Sequence, residues 1–255
     1  MIMKKKGLIN LILALAFLLT IYFAYFLPSQ KQQEMTLTSQ SKEDALWMDD
    51  VVTKQGATDF VKTIRLDVPL YNQLSEPRLR NGSSVTSLAM LLSYYGYDVD
   101  KNQLAEKLPT MPYDTTKANP HQAFVGDIKG SDPSLGVAVE PMAKLAKEIV
   151  GEEFNVVTGK DYSFSELLSA LENAKPIWLN VTKKMAKLSE SDWQKWGTKK
   201  NPILVTDKYH AVVLTGMDET FVYYNDPLEN KELKIEVKKL DELYNQTKKQ
   251  FIYIE

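Results

Sequence analysis

The chain of 255 residues contains no cysteine. That excludes disulfides, thiolate zinc sites, iron–sulfur clusters and cysteine nucleophiles. Histidine occurs only as His121 and His210, which excludes a multi-histidine metal centre. No charge sign dominates: 31 basic residues against 33 acidic ones give a formal charge of −2. Nucleic-acid binding is not expected, because phosphate contacts usually need a basic excess. No glycine-rich phosphate loop is present, and no cofactor is expected. Internal repeats and low-complexity arrays are missing too. What remains is an ordinary globular composition, 44% hydrophobic and 25% charged, long enough for one large domain or two small ones.

Long apolar runs are confined to residues 7–27, which follow Lys4, Lys5 and Lys6. A helix of about 20 residues spans roughly 30 Å, the hydrocarbon thickness of a bilayer. The expectation is a transmembrane anchor with residues 1–6 cytoplasmic and the rest extracytoplasmic, by the positive-inside rule. Tyr22, Tyr25 and Phe26 suit an interfacial belt. A cleaved signal peptide, giving a secreted protein, is the alternative; its apolar region is usually shorter and ends at small residues. Residues 28–62 read as a spacer, since 28–41 is rich in Gln, Ser, Thr and Lys and cannot bury enough surface to offset ordering.

The globular domain is expected over residues 63–255. Residues 64–70 alternate and stop at Pro69, as a short strand would. Val85, Leu88, Ala89, Leu91 and Leu92 recur at helical spacing over 84–95, with Gly96 as a stop. Helices are also expected over 101–108, 141–150 and 163–174, the last opened by Ser163 and Glu166 at capping-box spacing. Strands follow at 176–182, 209–215, 221–225, 233–237 and 251–254. Helices first and antiparallel strands later make an α+β pattern. His121 reads as a surface residue, Trp193 and Trp196 as packing within a polar insertion over 183–208, and the lysine pairs at 199–200, 238–239 and 248–249 as solvated faces.

One constellation could carry chemistry. Ser83 stands at the start of the 84–95 helix, where free amides and the helix dipole favour a group that becomes anionic. In isolation such a serine is simply an N-cap. A hairpin centred near Asp218 would set His210 opposite Asp226, and facing residues have Cβ atoms roughly 4.5–5.5 Å apart. An aspartate there can hold the tautomer of the histidine and stabilise its protonated form.

Several motifs stand in one order. They are Leu66-Asp-Val-Pro-Leu-Tyr-Asn-Gln73, Asn81-Gly-Ser-Ser-Val-Thr-Ser-Leu-Ala-Met-Leu-Leu92, Phe124-Val-Gly-Asp-Ile128, Tyr209-His-Ala-Val-Val-Leu-Thr-Gly216 and Asn225-Asp-Pro-Leu228. Together they resemble the bacterial papain-like cysteine peptidases of family 39 type, related to bacteriocin-leader peptidases, over roughly residues 63–255. The resemblance implies a papain-like fold, with an N-terminal helical half whose nucleophile-position helix packs on a C-terminal antiparallel sheet. It also implies that Ser83 falls on the nucleophilic cysteine, His210 on the catalytic histidine, Asp226 on its orienting acid and Gln73 on an oxyanion-hole glutamine. The reacting atom is thus replaced while three supporting roles remain. A thiolate can pre-form beside a histidine, whereas a serine must lose its proton during attack. The expected function is a membrane-anchored pseudopeptidase that binds a peptide or protein partner. The alternative is a serine-dependent peptidase or amidohydrolase using Ser83, His210 and Asp226.

Overall fold

Six consecutive residues, Ile177–Thr182, form a strand with no exposed member. Ile177, Leu179 and Val181 join one apolar cluster while Trp178 joins another. Side chains alternate across a strand, so this one lies in the middle of a sheet covered on both faces. The computed structural model describes residues 63–130, 132–198 and 200–255. In chain order the elements are β1 (Ile64–Arg65), α1 (Ser83–Tyr94), α2 (Lys101–Lys107), β2 (Thr110–Met111), β3 (Phe124–Gly126) and β4 (Ser134–Gly136). Then come α3 (Val139–Val150), β5 (Val156–Val157), α4 (Phe164–Glu172), β6 (Ile177–Thr182), β7 (Gln194–Thr198) and β8 (Asn201–Val205). The chain ends with β9 (Tyr209–Met217), β10 (Phe221–Asn225), β11 (Leu233–Glu236), α5 (Val237–Gln246) and β12 (Phe251–Ile254).

The main sheet runs β11-β10-β9-β6-β12-β5, with β1 added along β9, and its pairings are antiparallel. Leu88, Leu92, Met142 and Leu145 of α1 and α3 pack with Trp178 and Ile252. Leu167, Leu240 and Tyr244 of α4 and α5 pack with Leu179, Val212 and Phe251 in a separate cluster. Small sheets β2-β3-β4 and β7-β8 lie outside this assembly, joined by a core of Val125, Leu135, Trp196 and Val205.

Local signals start and stop these helices. Asp100 and Ser163 cap α2 and α4 with full capping boxes, the second through Glu166. Gly96 adopts φ +88°, a left-handed conformation that ends α1 at little cost. α1 differs from the expected amphipathic helix, because Ser84 through Leu92 are all buried. The amphipathic helix is α3, which buries Val139, Met142, Leu145, Ala146 and Val150. Two of the hydroxyls that α1 brings inside are tied off: Thr86 bonds Gly82 O at 2.8 Å and Ser87 bonds Ala211 O at 2.9 Å. The indole of Trp178 donates to Ser84 O at 2.9 Å. These bonds fix the helix against β6 and β9.

Several expectations need correction. The predicted transmembrane helix over 7–27, with the 1–6 and 28–62 segments around it, lies outside the described residues. Among the described residues no helix is long and apolar enough to cross a membrane. The longest, α1 and α3, have 12 residues each, about 18 Å at the rise of a helix. The described residues thus supply no anchor. The membrane-anchored function, the membrane as a partner, the single-pass topology and the extracytoplasmic placement are withdrawn with it. The strand expected over 64–70 shrinks to β1, whose ladder ends at Arg65 opposite Gly216. A hairpin, β7-β8, and a helix, α5, occupy stretches read as polar insertion and solvated lysines.

Candidate active site

Ser83 is the first residue of α1, and Gly82 holds the N-cap position without any side-chain cap bond. Gly82 is required sterically: a Cβ there would stand 2.4 Å from Leu79 Cβ. Ser83 is therefore not the cap that its position alone suggests. Its Oγ instead accepts a hydrogen bond from Ala211 N at 3.2 Å, across to β9. That contact brings the helix start beside the residue following His210.

His210 opens β9 and is 2% exposed, and Asp226, just past β10, is 4% exposed. His210 Nε2 lies 2.8 Å from Asp226 Oδ1. An ionised carboxylate only accepts, so the ring proton sits on Nε2 and Nδ1 is left as the basic nitrogen. The same Oδ1 also accepts from Leu228 N at 2.8 Å. The pair forms, but not by the expected cross-strand facing. Val213 pairs with Asn225, and a bulge between Tyr223 and Tyr224 shifts the register. Asp226 reaches the ring from the turn after β10, which its own carboxylate shapes. Nearby, burial pushes the Tyr224 phenol up to about 12, with the Asp226 charge adding to the effect.

Gln73 is 1% exposed and lines the same cleft as Ser83 and His210. Its Nε2 donates to Leu79 O at 3.2 Å and Arg80 O at 2.8 Å. Both amide protons are thus committed to the loop that leads into α1, and an oxyanion would have to win one back. Its Oε1 is buried without a partner, as is Ser84 Oγ. No hydrogen bond joins Ser83 Oγ to the imidazole among the described residues; the ring's bond goes to Asp226.

The cleft measures about 60 Å³, room for a few water molecules. Arg80, Asn180, Lys183, Asp207 and Tyr209 also line it and were not singled out from sequence. Asn180 carried a readable signal, since a central apolar strand rarely spends a buried position on an amide without using it. It donates to Val137 O and Gln250 Oε1. Trp196 packs inside as expected, edge-on to Tyr113 at 4.9 Å between ring centroids. His121 bonds Glu140 through Nδ1 at 2.9 Å, away from the residues that line this cleft.

Comparison with known proteins shows the family and the fold. Over 193 residues the chain is 39% identical to an uncharacterized protein, YvpB, of Bacillus subtilis (strain 168), which spans 74% of this chain and 75% of that protein. It superposes with a TM-score of 0.69 on the crystal structure of a Bacillus anthracis protein designated a C39-like peptidase, at 33% identity, covering 76% of this chain and 98% of that one. The sequence profile of the Peptidase_C39 like family matches residues 65–252, from β1 through the strand that closes the sheet. With a serine at the head of the buried helix and no cysteine anywhere, the chain belongs to the Peptidase_C39 like family.

Proposed function

We propose that this chain is a pseudopeptidase, whose cleft between α1 and β9 binds an extended segment of a peptide or protein partner without cleaving it. The observation that carries this reading is the engagement of Ser83. Its Oγ accepts from a backbone amide and makes no hydrogen bond to His210. A serine nucleophile needs a base in hydrogen-bond reach to take its proton during attack. A resting dyad of thiolate and imidazolium avoids that need, and here the sulfur is missing. Gln73, with its amide protons tied to Leu79 and Arg80, leaves the second catalytic requirement unmet as well.

The shape of the cleft supports a binding role. A slot of about 60 Å³ takes main chain rather than a large side chain. The loop carrying Gln73 also exposes Leu70 and Leu74, at 36% and 42%, as apolar contacts for residues flanking the bound segment. The test is incubation of the full chain with a fluorophosphonate probe. The expected result is no labelling above that of Ser83→Ala. Labelling at Ser83 that disappears in Ser83→Ala would establish the serine-hydrolase alternative instead.

A further inference from the structure

We infer that the protein carries a second binding site, for a small carboxylate with an apolar body, in the cavity between the start of α3 and the turn after α5. This cavity measures about 520 Å³, against about 60 Å³ for the cleft. Its size is that of an ordinary small-molecule pocket, roughly 300–1,000 Å³. The wall is mostly apolar and includes Val139, Lys160, Lys248 and Lys249; long lysine stems can cover apolar surface.

The charge around it is unbalanced. Lys160, Lys248 and Lys249 line it with one carboxylate, Glu140. Glu140 is already engaged by His121 Nδ1 at 2.9 Å and by Lys160 at 3.9 Å. Burial works against its ionisation, but the His121 hydrogen bond and a backbone amide hold its carboxyl below the usual range. Lys249 forms no ion pair among the described residues, although its charge is felt by Glu166. Lys248 stands over the Trp193 ring at 5.1 Å. A ligand carboxylate would supply the missing negative charge.

The backbone holds these lysines in place at a cost. Lys248 and Lys249 have φ of 64° and 57°, two successive left-handed residues without glycine. Such strain is kept where the surroundings over-determine it. The surroundings here are tight. Gln250 forms the floor, 4% exposed, with every polar atom bonded: Oε1 accepts from Val139 N and Asn180 Nδ2, and Nε2 donates to Tyr209 OH and Thr247 O. Tyr209 and Asn180 line the cleft on the other side. Gln250 thus joins the two sites, lining the cavity and bonding two residues that line the cleft.

The two histidines report the two places separately, His121 on the cavity and His210 in the cleft. The experiment is NMR of the full chain labelled with 13C at the histidine rings, with His210→Gln used to assign the signals. Octanoate and acetyl-trileucine are titrated as acids, and octanol and acetyl-trileucine amide as their neutral counterparts. The expected result is a saturable shift of the His121 signal by at least one acid, at least tenfold weaker with its neutral counterpart. Lys160→Gln combined with Lys249→Gln should weaken binding of that acid at least tenfold, with the His210 signal of the free protein unchanged. Which acid binds tells a free fatty acid from a peptide C-terminus. An unmoved His121 signal, equal binding of the neutral forms, an unaffected double variant, or a shift confined to His210 would each overturn the assignment.

Discussion

Removing the carboxylate of Asp226 separates two explanations for why a histidine–aspartate pair persists without a cysteine. The pair is almost wholly buried, and Oδ1 accepts from both His210 Nε2 and Leu228 N at 2.8 Å. Asp226→Ala leaves two donors, one buried and one half-buried, without an acceptor. Each such orphan costs about 1–3 kcal/mol, so the loss should be about 2–6 kcal/mol. For a domain of this size about 1 kcal/mol moves Tm by roughly 2–4 °C. The expected drop is therefore about 4–24 °C, read by circular dichroism on the full chain at neutral pH. Asp226→Asn keeps a carbonyl acceptor in the same place and should fall by less than about 1 kcal/mol. That contrast marks the pair as a tie between β9 and the turn at 226–230, a structural reason for its survival. A drop below 1 °C for Asp226→Ala, or equal drops for both variants, would refute it.

Other perturbations follow from the same geometry. Gly82→Ala forces a Cβ to within 2.4 Å of Leu79 Cβ, and strain of this kind should cost about 1–3 kcal/mol in urea unfolding. Lys101→Met should cost about 1–3 kcal/mol, because the buried Lys101 ammonium donates to the Ser75 and Pro77 carbonyls and both would lose their donor; an unchanged midpoint would show that the loop before α1 does not depend on it. Asp218 is held down at about 2 by the Tyr223 hydroxyl and the Phe221 and Thr220 amides. A depressed carboxyl contributes stability that is present above its unfolded value of 3.8 and lost as pH falls toward 2. Asp218→Asn should accordingly flatten the fall in unfolding midpoint between pH 4 and pH 2; an unchanged slope would contradict that origin.

Much of the domain was written locally. Apolar spacing and Gly96 announce α1, and Ser163 with Glu166 announces α4. The order of motifs points to Ser83, His210, Asp226 and Gln73; Gln73, Ser83 and His210 line one cleft, and Asp226 stands behind His210. What stayed hidden depends on distant partners. Trp196, Ile203 and Val205 make a hairpin because Val125 and Leu135 cover them, and nothing within 194–205 says so. α5 was obscured by its lysines, since only Leu240, Leu243 and Tyr244 are buried along its ten residues. The facing of His210 and Asp226 was inferred from symmetry about Asp218, and the bulge at Tyr223 and Tyr224 moved the ladder. The contact nonetheless exists, made by a turn rather than by strand pairing. Even the burial of α1 on all sides needs the sheet and α3 together to explain it. The sequence of residues 84–92 shows only a stripe.

The most direct measurement is the ionisation of a cysteine restored at position 83. No native cysteine competes, so iodoacetamide labelling of Ser83→Cys in the full chain reports that residue alone. The position combines the N-terminus of α1, the Ala211 amide and the neighbouring His210, all of which favour a thiolate. A peptidase site that lost only its nucleophile predicts labelling with a pKa well below about 8.5. Adding His210→Gln, which can still donate to Asp226, should move that pKa back toward about 8.5, leaving only the share from the helix N-terminus and the Ala211 amide. A pKa at or above about 8.5 in both proteins would contradict the claim, because His210 would then be uncoupled from position 83.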